Sequence, residues 1–438
     1  MPRPAPARSP RAPRSDPPER SLEPGPDLPT VAVRSPGHHP LIFKKMVIGP
    51  KGGPRPRDGD LVKVIDRDGV PLGFGLWNSQ SQVALRLLSP GTEPPGPDFW
   101  FSRIDEAVAL RREVLRLDEV TEAYRLLHAE GDGLSGLIVD RFGDVLSAEA
   151  FSLGIYQRIG PLLERLKQKT GATRHLVRVD ERIAQAEGFP GRPLASPDLP
   201  ARVTITEQEV RFRVHFVGGH KTGFFCDQRD NRLEFARYCQ GRSVLDVCCY
   251  TGGFALYALV NGEAEDVTGV DLDEKAVALA RENANLNQVR PTLVHADAFG
   301  YMRQMALNGR SYGALVLDPP KLIPSRTEAE LGKRKYLDLN TLAMNLVEPG
   351  GLFLTCSCSG LLSAEEFLAI LRISARRAGR SARILAVTGA SPDHPVGLEA
   401  LEGSYLKAVW LLLGDRRPPG EPSPCHQNST TARQRAQK

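Results

Sequence analysis

The sequence predicts an α/β fold: a doubly wound seven-stranded sheet, preceded by a small α/β middle domain and an all-β module. Three observations carry that expectation. From Arg242 onward, short β-favouring runs alternate with helical ones, the pattern of strands joined by crossover helices. From Leu41 to Ser89, brief alternating runs (GDLVKVIDRDGVPLGFGLW, then SQVALRLL) are separated by turn residues, Asp68-Gly69 among them. Between the two, from Trp100 to about Pro200, helical stretches such as VTEAYRLLHAEGD and IYQRIGPLLERLKQ flank a strand-like GLIVDRFGDVLSAEAFS.

Taken in order, residues 1–40 are rich in proline and arginine and poor in large apolar residues, so they are expected to be disordered. Residues 41–99 form the β module and 100–200 the middle domain. The hairpin ARVTITEQEVRFRVHF opens a third domain, 201–414, and residues 415–438 read as a second disordered tail. Within the third domain the expected strands are SVLDV, DVTGVDLD, PTLVHADA, YGALVLDPP, GGLFLTCSCS, SARILAVTG and YLKAVWLLL. No helical run separates the last two, so they are expected to pair as an antiparallel edge.

Composition narrows the function. A chain of 438 residues is long for one core. Its seven cysteines, an odd number, and the lack of a signal peptide point away from a disulfide framework and towards a reducing, cytoplasmic setting. No apolar run approaches the ~20 residues that span a bilayer, so no membrane partner is expected. The net charge of +5 suits an anionic partner such as RNA without requiring one.

In a doubly wound sheet, ligands sit beyond the carboxyl ends of the strands. The first strand carries Asp246 and ends in the turn Tyr250-Thr251-Gly252-Gly253, whose glycines let backbone amides approach a ligand. The second ends at Asp271-Leu272, where a carboxylate can accept ribose hydroxyls. The third ends at Asp297-Ala298, near an adenine amino group, and the fourth at Asp318-Pro319-Pro320. A dinucleotide site would want G-x-G-x-x-G and no acid beside the pyrophosphate. Here Asp246 precedes the turn and suits the ammonium of a methionine-like moiety, so the expected cofactor is S-adenosylmethionine.

At this point LDVCCYTGGFAL, VDLDEKAVALARENANLN, LDPPKL and TCSCSGLL, together with GHKTGFFCDQRDNR and EGDGLSGLIVDRFGD upstream and DHPV and GSYLKAVWL downstream, resemble motifs of the bacterial RlmI-like large-subunit (23S) ribosomal RNA cytosine-5 methyltransferases. The resemblance covers about Leu41 to Leu413. It implies a PUA-like RNA-binding domain, a small middle domain and a class I methyltransferase domain, with large-subunit ribosomal RNA as partner. A second copy of the chain, as a homodimer, stays open.

The cysteine pair of GGLFLTCSCS then acquires a chemical reading. Carbon 5 of cytosine is a poor nucleophile until a thiolate adds at C6. Cys356 and Cys358, two apart on a strand, point to one face, and Asp318 on the neighbouring strand would stand near cytosine N3. Similarity to other RNA pyrimidine methyltransferases favours Cys356 as the nucleophile over Cys358; either Cys358 or Asp318 is left to assist release. Two small buried thiols are the structural alternative, and a zinc site is disfavoured by the C-C and C-x-C spacings. The basic run near Lys321, with Lys333, Arg334 and Lys335, is expected to meet phosphates, and Tyr336 to stack on a base. A guanine-N7 or amino-group RNA methyltransferase, or a non-catalytic RNA-binding protein, are the competing readings.

Overall fold

The computed structural model describes residues 16–34, 37, 39–216 and 223–416. The expectations for 1–15 and 417–438, and part of the GHKTGFF motif, lie outside the described residues. The chain divides into two compact units. One holds the N-terminal part to Arg229 together with Ser391–Gly403; the other holds Asp230–Ala390 and the chain from Ser404.

The first unit contains a six-stranded sheet in the order β2-β6-β5-β4-β1-β3. Its strands are β1 (Thr30–Val33), β2 (Leu41–Phe43), β3 (Val47–Pro50), β4 (Leu61–Ile65), β5 (Pro71–Trp77) and β6 (Val83–Ser89). Here the expected boundary at residue 41 needs correction. β1 lies inside the sheet, parallel to β4 and antiparallel to β3, and Leu22 is buried in the core. The all-β module therefore begins near Thr30, and Leu22 of the preceding proline-rich stretch packs into the core.

Helix α1 (Pro97–Ala109) leads to a five-stranded sheet, β11-β10-β9-β8-β7. It is built from β7 (Ala123–His128), β8 (Leu137–Phe142), β9 (Val145–Ala150), β10 (Arg174–Arg178) and β11 (Leu194–Ala195), with α2 (Leu153–Tyr156), α3 (Ile159–Thr170) and α4 (Glu181–Glu187) between them. Phe74, Leu76 and Leu88 share one apolar core with Trp100, Tyr124 and Leu126, so the two sheets form a single body.

The hairpin β12 (Arg202–Glu207) and β13 (Val210–His215) also belongs to this unit rather than to the third domain. A bridge between Thr121 and Glu207 holds it there. The segment Ser391–Gly403 joins the same unit because Asp393, wholly buried, is gripped by Arg229 at 3.0 and 3.2 Å and accepts from the Arg125 amide at 2.8 Å.

The second unit is the expected seven-stranded sheet, in the order β16-β15-β14-β17-β18-β20-β19. Its strands are β14 (Ser243–Val247), β15 (Asp266–Asp271), β16 (Thr292–His295), β17 (Tyr312–Leu317), β18 (Val347–Ser357), β19 (Arg380–Thr388) and β20 (Lys407–Arg416). Helices α5 (Arg229–Ala236), α6 (Gly253–Val260), α7 (Glu274–Leu286), α8 (Ala298–Leu307), α9 (Ala329–Leu346) and α10 (Ala364–Arg377) precede and connect them. Every residue of β17 is buried, as a central parallel strand covered on both faces requires. β20 runs antiparallel between β18 and β19, giving the expected antiparallel edge.

Side-chain parity sorts the sheet. Val244, Ala314, Val316, Leu352, Leu354 and Cys356 face Phe235, Phe254 and Ala258. Leu245, Val247, Leu315, Leu317 and Phe353 face Met302, Tyr336, Ala343 and Phe367 on the other side. Among the described residues no helix is long and apolar enough to cross a membrane.

Candidate active site

The site is assembled where β14, β15, β16, β17 and β18 end. β14 pairs with β15 and β17, so the reversal of strand order falls there. The turn after β14 is tight: Cys248 has φ 65°, Tyr250 φ 48° and Gly252 φ 84°. Left-handed conformations at two non-glycine residues are uncommon and cluster at functional sites. The buried Asn283 of α7 donates to the Thr251 carbonyl at 3.1 Å and fixes the turn. A Cβ at Gly253 would come to 3.0 Å from Arg232 Cδ, so the glycine lets the buried Arg232 pack closely against the helix start.

Burial raises the Cys248 thiol strongly, and the charges of the strand-end acids Asp271, Asp318, Asp246 and Asp297 raise it further. Asp246 is buried; its Oδ2 accepts from the Ala255 amide at 3.0 Å, and its Oδ1 has no hydrogen-bond partner. Burial, with Asp318 and Asp271 adding to it, pushes its carboxyl up to about 8. Asp271 accepts from the Tyr250 and Asp273 amides, both at 2.8 Å. These bonds aim its carboxylate and leave lone pairs for further donors. Asp273, beside it, is the cap of α7.

Other expected residues are placed with different emphasis. Asp297 caps α8, accepting from the Gly300 amide at 2.8 Å, and Ala298 is the first residue of that helix. Leu272 is 67% exposed. Asp318 is half-buried at the end of β17, followed by the buried Pro319.

Burial bears on two expectations about the second half of the site. Cys356 is wholly buried among Phe254, Val316, Leu354 and Ala408, so its sulfur has no surface to offer a base. Cys358 packs on the same cluster but is partly exposed, because the strand has ended at Ser357. Tyr336 is not a stacking platform: it is wholly buried. Ser357 Oγ donates to its hydroxyl at 3.0 Å, and Ser359 Oγ bonds the same hydroxyl at 3.0 Å. Ser359 Oγ also accepts from the Ile323 amide at 3.2 Å. Tyr336 thus braces the Cys358 segment, and Ser359 links it to the loop after Asp318. Lys333 is paired with Glu366 at 2.8 Å and Glu330 at 3.5 Å, while Lys321, Arg334 and Lys335 are exposed.

Sequence reasoning passed over Arg232, Asn283 and Lys407. Arg232 stands in the quoted GHKTGFFCDQRDNR motif and Lys407 in GSYLKAVWL, but neither spacing nor periodicity tells where their side chains end.

Residues 31–90 match a PUA-like domain, and residues 168–396 match an S-adenosylmethionine-dependent methyltransferase. Ribosomal RNA large subunit methyltransferase I of Shewanella denitrificans is 36% identical over 377 residues, 85% of this chain and 94% of that one. The protein of the same name from Aeromonas hydrophila is 36% identical over 378 residues, with the same coverage. The chain belongs to this methyltransferase family. A Streptococcus mutans protein named as a SAM-dependent methyltransferase shares the fold, with a TM-score of 0.74 at 19% identity, over 87% of this chain and 99% of that one. A second structure with the same score and coverage is complexed with SAH.

The family's cofactor fits the residues present. Asp246 Oδ1 is a buried acceptor with no donor, matching an ammonium, and the Asp271 carboxylate is held by two amides with capacity left for hydroxyls.

Proposed function

We propose that the protein methylates carbon 5 of a cytosine in large-subunit ribosomal RNA, with Cys358 as the nucleophile. The observation that carries this reading is the partly exposed Cys358 at the end of β18, on the sheet face shared by Asp246, Cys356 and, by strand parity, Asp318. A nitrogen target is already nucleophilic and needs no thiol there.

Cys358 as thiolate adds to C6, and the ring becomes an enamine nucleophilic at C5. Asp318, able to hold a proton near N3, favours that addition. S-adenosylmethionine supplies the methyl group as an electrophile when bound. After transfer, the C5 proton leaves to a base, the C6–S bond breaks, and the thiolate is regenerated with 5-methylcytosine as product. The target base must be unstacked to present C5 and C6. Exposed Lys321, Arg334 and Lys335 supply phosphate contacts beside the pocket, and the PUA-like domain supplies further RNA contacts.

The test is nucleoside mass spectrometry of large-subunit ribosomal RNA incubated with the protein and labelled cofactor. Label in 5-methylcytidine is expected. Label in 7-methylguanosine or an N-methylated nucleoside overturns the carbon-5 reading.

A further inference from the structure

A thiol that attacks cytosine must first lose its proton, and β20 brings a cation to the place where that happens. Lys407 is only 7% exposed. It lies opposite Ser357 in the β18–β20 pair. Its Nζ donates to the Ser359 carbonyl at 2.7 Å and to the Tyr405 carbonyl at 2.9 Å. The side chain therefore runs along the three-residue segment whose middle member is Cys358.

Both bonds go to neutral carbonyls, and among the described residues no carboxylate pairs with this ammonium. A buried lysine without a counter-ion is costly. Burial drives its proton affinity down, and the charge of Cys358 is what draws it back up. The interaction is reciprocal: whatever the thiolate does for the ammonium, the ammonium does for the thiolate. Among the described residues, Tyr336 from α9 and Tyr405 just before β20 also lie near Cys358, and neither carries a positive charge.

We propose that Lys407 is the positioning residue for the Cys358 thiolate: its ammonium is the sulfur's counter-ion, and its hydrogen bonds tie the Ser359 carbonyl, just after Cys358, to the Tyr405 carbonyl before β20. The inference rests on Cys358 being the nucleophile. The thiol proton passes to water through the exposed side of the residue. The lysine itself neither gains nor loses one.

The test is alkylation of full-length, cofactor-free protein by iodoacetamide across about pH 5 to 10, with tandem mass spectrometry separating Cys358 from Cys356. Wild-type Cys358 is expected to react with a midpoint below the ~8.5 of an ordinary thiol. Lys407→Met raises that midpoint by about one unit, a roughly tenfold loss of thiolate at neutral pH, and Lys407→Arg restores most of it. Cofactor affinity stays within about twofold in both variants, a split that general loss of structure does not give. A wild-type midpoint at or above the ordinary value overturns the inference, as does an unchanged midpoint in Lys407→Met. If Lys407→Met does not fold, the wild-type and Lys407→Arg titrations still decide. Should Cys358→Ala keep its turnover while the midpoint shift is seen, the nucleophile reading fails and the Lys407–Cys358 pairing stands.

Discussion

The Ala255 amide donates to Asp246 Oδ2 at 3.0 Å, while Asp246 Oδ1 is buried without a hydrogen-bond partner. The carboxyl is half-satisfied by the fold and waits for a donor from outside it. Burial and two neighbouring acids lift it to about 8, far above the ~3.9 of a free aspartate. At neutral pH the ligand-free protein therefore keeps this proton. The group's contribution to stability is full below about pH 4 and is lost as pH rises through about 8.

An ammonium needs the ionised form, so S-adenosylmethionine affinity should climb as pH rises towards 8 and fall again above it, where the cofactor's own amino group loses its proton. Calorimetry in two buffers of different ionisation enthalpy should show release of close to one proton at pH 7. Asp246→Asn should keep the fold, weaken binding by about tenfold or more, and flatten the pH profile. An affinity independent of pH in the wild type would remove Asp246 from the ammonium site.

Tyr336 yields a second expectation. Its hydroxyl bonds both Ser357 and Ser359, so Tyr336→Phe should lose about 1–2 kcal/mol of stability from two neutral hydrogen bonds. With the Cys358 segment unbraced, kcat should fall severalfold while cofactor and RNA affinities hold. Weakened RNA binding with unchanged kcat would restore the stacking role that burial speaks against.

The Asp393–Arg229 pair makes a third. Burial raises the carboxyl, but the charges of His394 and Arg229 more than offset this and hold it well below the usual range. A depressed carboxylate stabilises above the unfolded value and loses that contribution as pH falls through the folded one. Asp393→Asn removes the carboxylate from a buried ion pair with Arg229, at a cost of about 3–5 kcal/mol. Urea melts at neutral pH measure it. A loss below about 1 kcal/mol would mean that Ser391–Gly403 is held by other contacts.

Much of this was legible because it is periodic. The strand-end acids fall one βα unit apart, and a continuous apolar run such as YGALVL reads as a buried parallel strand. β1 was not legible: four residues following a proline-rich stretch carry too short a signal, and its place beside β4 is a long-range pairing. The transfer of Asp393 to the N-terminal unit hangs on partners more than 160 residues away in sequence. Strand parity put Cys356 and Cys358 on one face, but parity carries no depth. Depth depends on Phe254 and Ala408 closing over one sulfur and on β18 ending before the other.

That difference in depth gives the sharpest expectation. Cys356→Ala removes a buried thiol from an apolar cluster and should cost about 1–2 kcal/mol of stability while turnover continues. Cys358→Ala should keep fold and cofactor affinity, since a partly exposed strand-end side chain is shortened, yet turnover should vanish because no other group forms the C6 adduct. RNA carrying 5-fluorocytidine offers the cleanest readout, because fluorine at C5 cannot leave as a proton and the adduct accumulates. Wild type and Cys356→Ala should be trapped on such RNA, and Cys358→Ala should not. Trapping that survives in Cys358→Ala and disappears in Cys356→Ala would mean that the buried sulfur is exposed during the reaction by a movement of α6 or β20. Turnover by the double variant would end the covalent mechanism for this protein, leaving the Asp318 side of the pocket to act on a nitrogen.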